Sequence, residues 1–187
     1  LKYLDVSGQD VSDVSALALL TQLTGLDLSD NSLVSIAALN TLTGLKELNI
    51  SNNNITSLAG LERMTQLEKL TADNNSLNGQ NLSALSACQN LKTVSLKGCG
   101  LTSLSGIIVN SLESLLCSGN EITSLDAVAN ARKLISLDVS GNQIEDIPAL
   151  DGCRKLTDID LSGNLLFDLS GLSGAPVLEM VNVSNCS

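Results

Sequence analysis

Leu45-Lys46-Glu47-Leu48-Asn49-Ile50-Ser51-Asn52-Asn53-Asn54-Ile55 carries the pattern on which the architecture rests. From Glu47 to Ser51 polar and apolar residues alternate, as they do in a strand with one buried face. Leu48 and Ile50 should therefore point inward, and Glu47, Asn49 and Ser51 outward. Further on, Ile55, Leu58, Leu61 and Met64 recur at every third position, which predicts short 3₁₀-like turns rather than an α-helix.

The phrase L-x-x-L-x-L-x-x-N-x-L returns in one register from Leu1, Leu23, Leu45, Leu67, Leu91, Leu112, Leu134, Leu156 and Leu178. Successive starts are 22 residues apart except for 24 from Leu67 to Leu91 and 21 from Leu91 to Leu112. A period in the twenties with this consensus is identified as that of leucine-rich repeats. Such repeats stack one strand each into a curved parallel sheet. The expected architecture is an α/β repeat solenoid, with a concave parallel β-sheet and a convex side of 3₁₀ or short helical turns and loops. Residues 1–187 read as a single domain of about eight repeats plus a partial ninth. Because the chain opens on the first leucine of one repeat and stops at Ser187 inside another, it is expected to be a piece of a longer protein.

The repeat length and the segments Leu26-Asp27-Leu28-Ser29 and Ile55-Thr56-Ser57-Leu58 resemble the short-repeat class. That class includes bacterial internalins and eukaryotic regulatory subunits of protein phosphatases. In those families the concave sheet binds a protein, and the resemblance implies the same here. The chain departs from the internalin pattern in carrying no recognisable capping domain.

Composition narrows the function classes. Apolar residues make up 43% of the chain but aromatic ones only 1%, with Tyr3 and Phe167 the sole examples. Stability must then come from many small, regular contacts. The net charge of −10, from 20 acidic and 10 basic residues, repels polyphosphates, so a nucleic-acid partner is not expected. A partner held by electrostatics should be basic or cationic. No apolar run approaches the roughly 20 residues of a membrane span, so no membrane insertion by this segment is expected, and the chain is expected to be monomeric.

The repeat itself explains several residues that resemble sites. Asn31, Asn53, Asn75, Asn120, Asn142 and Asn164 occupy the ninth position, where the turning backbone needs partners, and they form a structural ladder. Cys99 and Cys186 take that same position, Cys117 the inward sixth, and Cys88 and Cys153 the place three residues before a repeat start. All five are expected to be buried core variants. Cys88 and Cys153 lie three repeats apart, roughly 15 Å at about 4.8 Å per strand, too far for a disulfide. With no histidine and no C-x-x-C, the sequence offers no zinc site and no natural general base. Gly98, Gly119, Gly141 and Gly163 recur at the eighth position as turn residues, without the lysine of a phosphate loop. Sequons occur at Asn49, Asn54, Asn74, Asn81, Asn182 and Asn185, several of them generated by the repeat phrase itself. No catalytic residue, metal or cofactor is expected, and the chain reads as a non-enzyme.

Residues at the third, fifth and seventh positions should project from the concave face. Its default is Asp or Asn at the fifth, as at Asp5, Asp27, Asn49, Asp138, Asp160 and Asn182, with serine at the seventh. Stacked lone aspartates provide too few ligands for a good calcium shell. The departures cluster centrally, at Lys69, Thr71, Asp73, Thr93, Lys97 and Leu116, beside Glu47. These seven are the expected partner-binding residues. Glu47 with Lys69, and Asp73 with Lys97, occupy matching positions and could form cross-strand ion pairs, while Leu116 reads as an exposed leucine on a polar sheet. Tyr3 and Met180 are further candidates at the two ends. The leading expectation is a protein-interaction module using this face, and the alternative is a spacer or scaffold segment of a larger surface protein. Internalin-like phrasing points to a cell surface or secretion, whereas buried free thiols fit a cytosol; the surface reading is preferred.

Overall fold

The structure is a computed structural model and describes residues 1–186. Nine three-residue strands form one parallel sheet in chain order. They are β1 (Tyr3–Asp5), β2 (Gly25–Asp27), β3 (Glu47–Asn49), β4 (Lys69–Thr71), β5 (Thr93–Ser95), β6 (Ser114–Leu116), β7 (Ser136–Asp138), β8 (Asp158–Asp160) and β9 (Met180–Asn182). Identical repeat positions pair throughout. Leu48 is opposite Leu70, Leu70 opposite Val94 across the 24-residue repeat, and Val94 opposite Leu115 across the 21-residue one. The two irregular lengths are thus absorbed in the convex loops. A one-residue slip would turn the buried leucines to solvent, so the strands keep their register.

On the convex side, backbone hydrogen bonds from residue i+3 to residue i recur along the apolar every-third positions. Leu39 N–H donates to Ile36 C=O, Leu42 to Leu39 and Leu45 to Leu42 at 2.9–3.1 Å. Five such stretches among the described residues are 3₁₀ turns: Ser15–Leu19, Ala37–Thr41, Ser83–Leu85, Asp126–Val128 and Ser170–Gly174. The third repeat, whose spacing prompted the expectation, is not one of them. Leu58, Leu61 and Met64 keep the same bonds singly, Leu61 N–H to Leu58 C=O and Met64 N–H to Leu61 C=O. Gly60 interrupts them at φ 113°, and a Cβ there would stand 2.5 Å from the Ile36 carbonyl oxygen of the preceding repeat. That close approach needs glycine and is incompatible with a continuous 3₁₀ turn.

Between the sheet and these turns, the leucines, isoleucines and valines of successive repeats form one continuous core. The asparagine ladder runs along its edge. Asn53 Oδ1 accepts from Leu33 N–H (2.9 Å), while its Nδ2 donates to the carbonyls of Leu28, Ile50 and Ser51 (2.9–3.1 Å). Where asparagines follow one another in adjacent repeats they share a sixth-position carbonyl, as Asn53 and Asn75 share Ile50 C=O. At Cys99 a thiol donates to Ala72 C=O (3.2 Å) and Lys97 C=O (3.4 Å) in place of the amide. A thiol does not supply the amide's accepting oxygen, and Leu77 N–H instead reaches the Cys99 main-chain carbonyl at 3.0 Å.

All five cysteines are free; Cys88, Cys99, Cys117 and Cys153 are buried, but Cys186 is only partly so, against expectation. No described strand lies beyond β9 to cover it. Burial pushes the Cys88 thiol up to about 11 and raises those of Cys99, Cys117 and Cys153 as well. Thiolate is the reactive form. Ellman's reagent should therefore titrate one thiol quickly in the folded chain and the other four only on unfolding. A Cys186→Ala variant should lose the fast phase, and fast reaction of a second thiol would contradict this core assignment.

Candidate functional site on the concave sheet

The register assembles the outward positions into rows. Glu47, Lys69, Thr93 and Ser114 follow one another along the third-position row. Thr71, Ser95 and Leu116 succeed each other along the fifth. All seven residues singled out above therefore stand on β3 to β6 or just beyond those strands. Glu47 and Lys69 are exposed, whereas Leu116 is only half-buried rather than a freely exposed leucine. Ser51, expected to face outward, is only 8% exposed, and its hydroxyl accepts from the Asp73 N–H of the next repeat at 3.2 Å.

The two expected ion pairs do not form among the described residues. The pairs present lie one position earlier, at the rim, where Glu68 bridges Lys46 (3.4 Å) and Lys92 (2.8 Å). Its hydrogen bond to Lys92, and then that to Lys46, hold the Glu68 carboxyl below its ordinary range. The alternating charges of the second position carried this signal in the sequence, but they fall outside the outward-pointing set. Such exposed pairs contribute little.

Asp73 has a different task. Its Oδ1 accepts from the Ser95 hydroxyl (2.6 Å) and from the backbone N–H of Lys97 (2.8 Å). In the default repeats a fifth-position aspartate accepts from the serine two residues on: Asp27 from Ser29 N–H (2.9 Å) and hydroxyl (2.6 Å), Asp160 from Ser162 likewise. Where the fifth repeat carries Ser95 and Lys97 instead, the carboxylate comes from the repeat before. Asp73, Ser95 and Lys97 are thus a compensated exchange, and the Lys97 ammonium remains unpaired among the described residues.

The same turns resolve the stacked aspartates. Asp5 faces Asp27 and Asp138 faces Asp160, yet each has a serine donating to it. The Ser7 N–H and hydroxyl hold the Asp5 carboxyl below its ordinary value. At Asp160, burial acts upward, but the Ser162 hydroxyl, the Ser162 N–H and the Asn182 amide together leave it lowered. Among the described residues no group of three or more Asp, Glu or Cys side chains gathers to hold a metal ion.

Two hollows open on the sheet. One of about 160 Å³ is lined by Tyr3, Asp27, Glu47, Asn49, Lys69 and Thr71, so it includes three of the expected residues. The larger, about 430 Å³, lies over β7 to β9 and is lined by Asp138, Asp158, Asp160, Glu179 and Met180 among others. Tyr3 and Met180 are 56% and 67% exposed. The Tyr3 ring lies over Gly25, whose added Cβ would stand 2.5 Å from Cδ2.

The sequence profile that matches is described as leucine rich repeats (2 copies), over residues 21–63, 110–152 and 132–174, together more than half of the chain. No curated protein matches the chain by sequence. Among solved structures, internalin C2 of Listeria monocytogenes superposes with a TM-score of 0.86 at 26% identity, over 97% of this chain and 80% of its own. A leucine-rich-repeat protein of Leptospira interrogans gives 0.88 at 24%, over 100% of this chain and 50% of its own. TLR13, solved in complex with ssRNA13, gives 0.85 at 25%, over 97% of this chain and 28% of its own.

Proposed function

The chain belongs to the leucine-rich-repeat family, and from that premise we propose that it is a non-catalytic interaction module holding a protein partner on its concave sheet. The contact is centred on the fourth to sixth repeats. The observation that carries this reading is the break in the default concave surface. Repeats at both ends carry Asp–Ser pairs that satisfy one another, whereas β3 to β6 present Glu47, Lys69, Thr71, Thr93, Lys97 and Leu116 instead. Glu47 and Lys69, adjacent but unpaired, offer one charge of each sign, and Leu116, opposite Ser95, adds an apolar contact.

Protein is favoured over RNA as the partner. The same fold binds RNA in the TLR13–ssRNA13 complex, but the net charge of −10 and the aspartate stripes here repel phosphates.

The test is affinity capture on the immobilised chain, compared with a Lys69→Glu, Lys97→Glu, Leu116→Ala variant whose circular dichroism is unchanged. A partner retained by the natural chain should be lost or weakened at least about tenfold by the variant, in line with the few residues that dominate interfaces. Equal retention by both removes this face, and an empty capture favours a spacer segment.

A further inference from the structure

The cations of this acidic chain are not spread evenly. Only Lys69 and Lys97 stand on the concave rows, whereas Arg132, Lys133, Arg154 and Lys155 fill the last two positions of the sixth and seventh repeats. All four are exposed, and they directly precede the buried Leu134 and Leu156. Ile135 N–H donates to Glu113 C=O (2.8 Å) and Thr157 N–H to Ile135 C=O (2.9 Å), which holds these segments in register. Equivalent positions therefore stand about one strand spacing, ~4.8 Å, apart. The result is a two-by-two array of like charge on the flank where the chain enters the sheet.

Like charges on adjacent strands are unfavourable, and nothing in the repeat demands them. Thr21-Gln22, Thr43-Gly44, Thr65-Gln66, Gln89-Asn90 and Asn110-Ser111 fill the same places in the first five repeats with neutral residues. None of the four cations forms an ion pair among the described residues. Two residues past Lys133 and in the row of Glu113 and Thr157, Ile135 is 43% exposed, at a second position where six of the other eight repeats carry Lys or Glu.

We propose that this flank is a second docking surface, separate from the concave face, and that it takes a short acidic segment of a protein. Paired guanidinium and ammonium groups bind carboxylates in charge-assisted contacts, the arginines in bidentate fashion. Ile135 receives an apolar side chain set among those carboxylates. The rest of the chain is strongly acidic, so attraction is confined to a footprint of about one screening length, roughly 8 Å at physiological salt. A long polyanion or an anionic membrane would extend past that footprint into repulsion, whereas a segment of a few residues stays inside it.

The test uses the whole chain and a fluorescent pentapeptide of four glutamates around a leucine, followed by anisotropy at low salt and at about 150 mM salt. The glutamate peptide should bind, its glutamine analogue should not, and added salt should weaken the complex. Lys133→Glu with Lys155→Glu should reduce affinity at least about tenfold. Ile135→Ser should weaken binding without altering the salt dependence. The concave triple variant should bind the peptide like the natural chain, which separates this proposal from the concave-face reading. Absence of peptide binding, an unchanged affinity in the charge-reversed variant, or preferential binding of an oligonucleotide or a phosphatidylserine vesicle would each overturn it.

Discussion

Replacing Asn142 with alanine is expected to lower the unfolding free energy by about 3 kcal/mol, read from urea denaturation. Asn142 Oδ1 accepts from Ile122 N–H (2.9 Å), and Nδ2 donates to the carbonyls of Cys117 (3.0 Å), Val139 (2.9 Å) and Ser140 (3.2 Å). The losses are unequal. Cys117 C=O retains Asn120 and Val139 C=O retains Asn164 as donors. Ile122 N–H, on a residue with no exposed surface, is left without a partner, and an orphaned buried donor costs about 1–3 kcal/mol. The lost amide bonds add about 1 kcal/mol more. Asn142→Cys separates the two contributions, since the thiol at Cys99 already shows that sulfur can donate to such carbonyls. Cysteine should recover the donor share but not the acceptor share, and so fall between asparagine and alanine. A loss under about 1 kcal/mol for the alanine variant would mean that the turn finds another acceptor for Ile122.

Leu115→Ala should cost about 2–5 kcal/mol, the range for deleting a buried leucine whose surroundings cannot collapse. Leu115 has no exposed surface and pairs with Val94 on one side and Leu137 on the other, both buried. A cavity there weakens two repeat interfaces at once, and in a solenoid each repeat is held chiefly by its neighbours. The same inward position in β9 makes the control. Val181 is 43% exposed and pairs with only one strand among the described residues, so Val181→Ala should cost less than about 1 kcal/mol. Similar costs at the two sites would show that contacts along the solenoid do not set the energy of each repeat.

The local pattern was enough for much of this. The alternation from Glu47 to Ser51, recurring along the chain with breaks such as Leu116, specifies which side chains point inward, and nine starts in one register leave a parallel stack as the way to bury them. The buried ninth-position asparagines were legible for the same reason, because a turn that recurs every 22 residues presents the same unpaired backbone groups each time. Such features recur with the period, so the repeated sequence contains them even where, as at Asn53, two of the bonds reach the repeat before.

The remaining features depend on the contacts between repeats. Sequence placed ion pairs at Glu47–Lys69 and Asp73–Lys97, but side-chain reach in three dimensions put them at Lys46, Glu68 and Lys92, on the rim. Asp73 could be assigned to Ser95 and Lys97 only once the fourth and fifth repeats lay side by side. The third repeat failed to form a 3₁₀ turn because Gly60 meets the Ile36 carbonyl of the repeat before it. Cys186 is half-exposed because burial at the ninth position is provided by a neighbouring repeat, not by its own. The strand, its inward face and the period are legible in the residues alone, since they follow from backbone geometry and the alternation of apolar side chains. Which charges meet, which thiols are covered and where the cations gather were decided by stacking, because those distances exist only between residues some 22 positions apart in the chain.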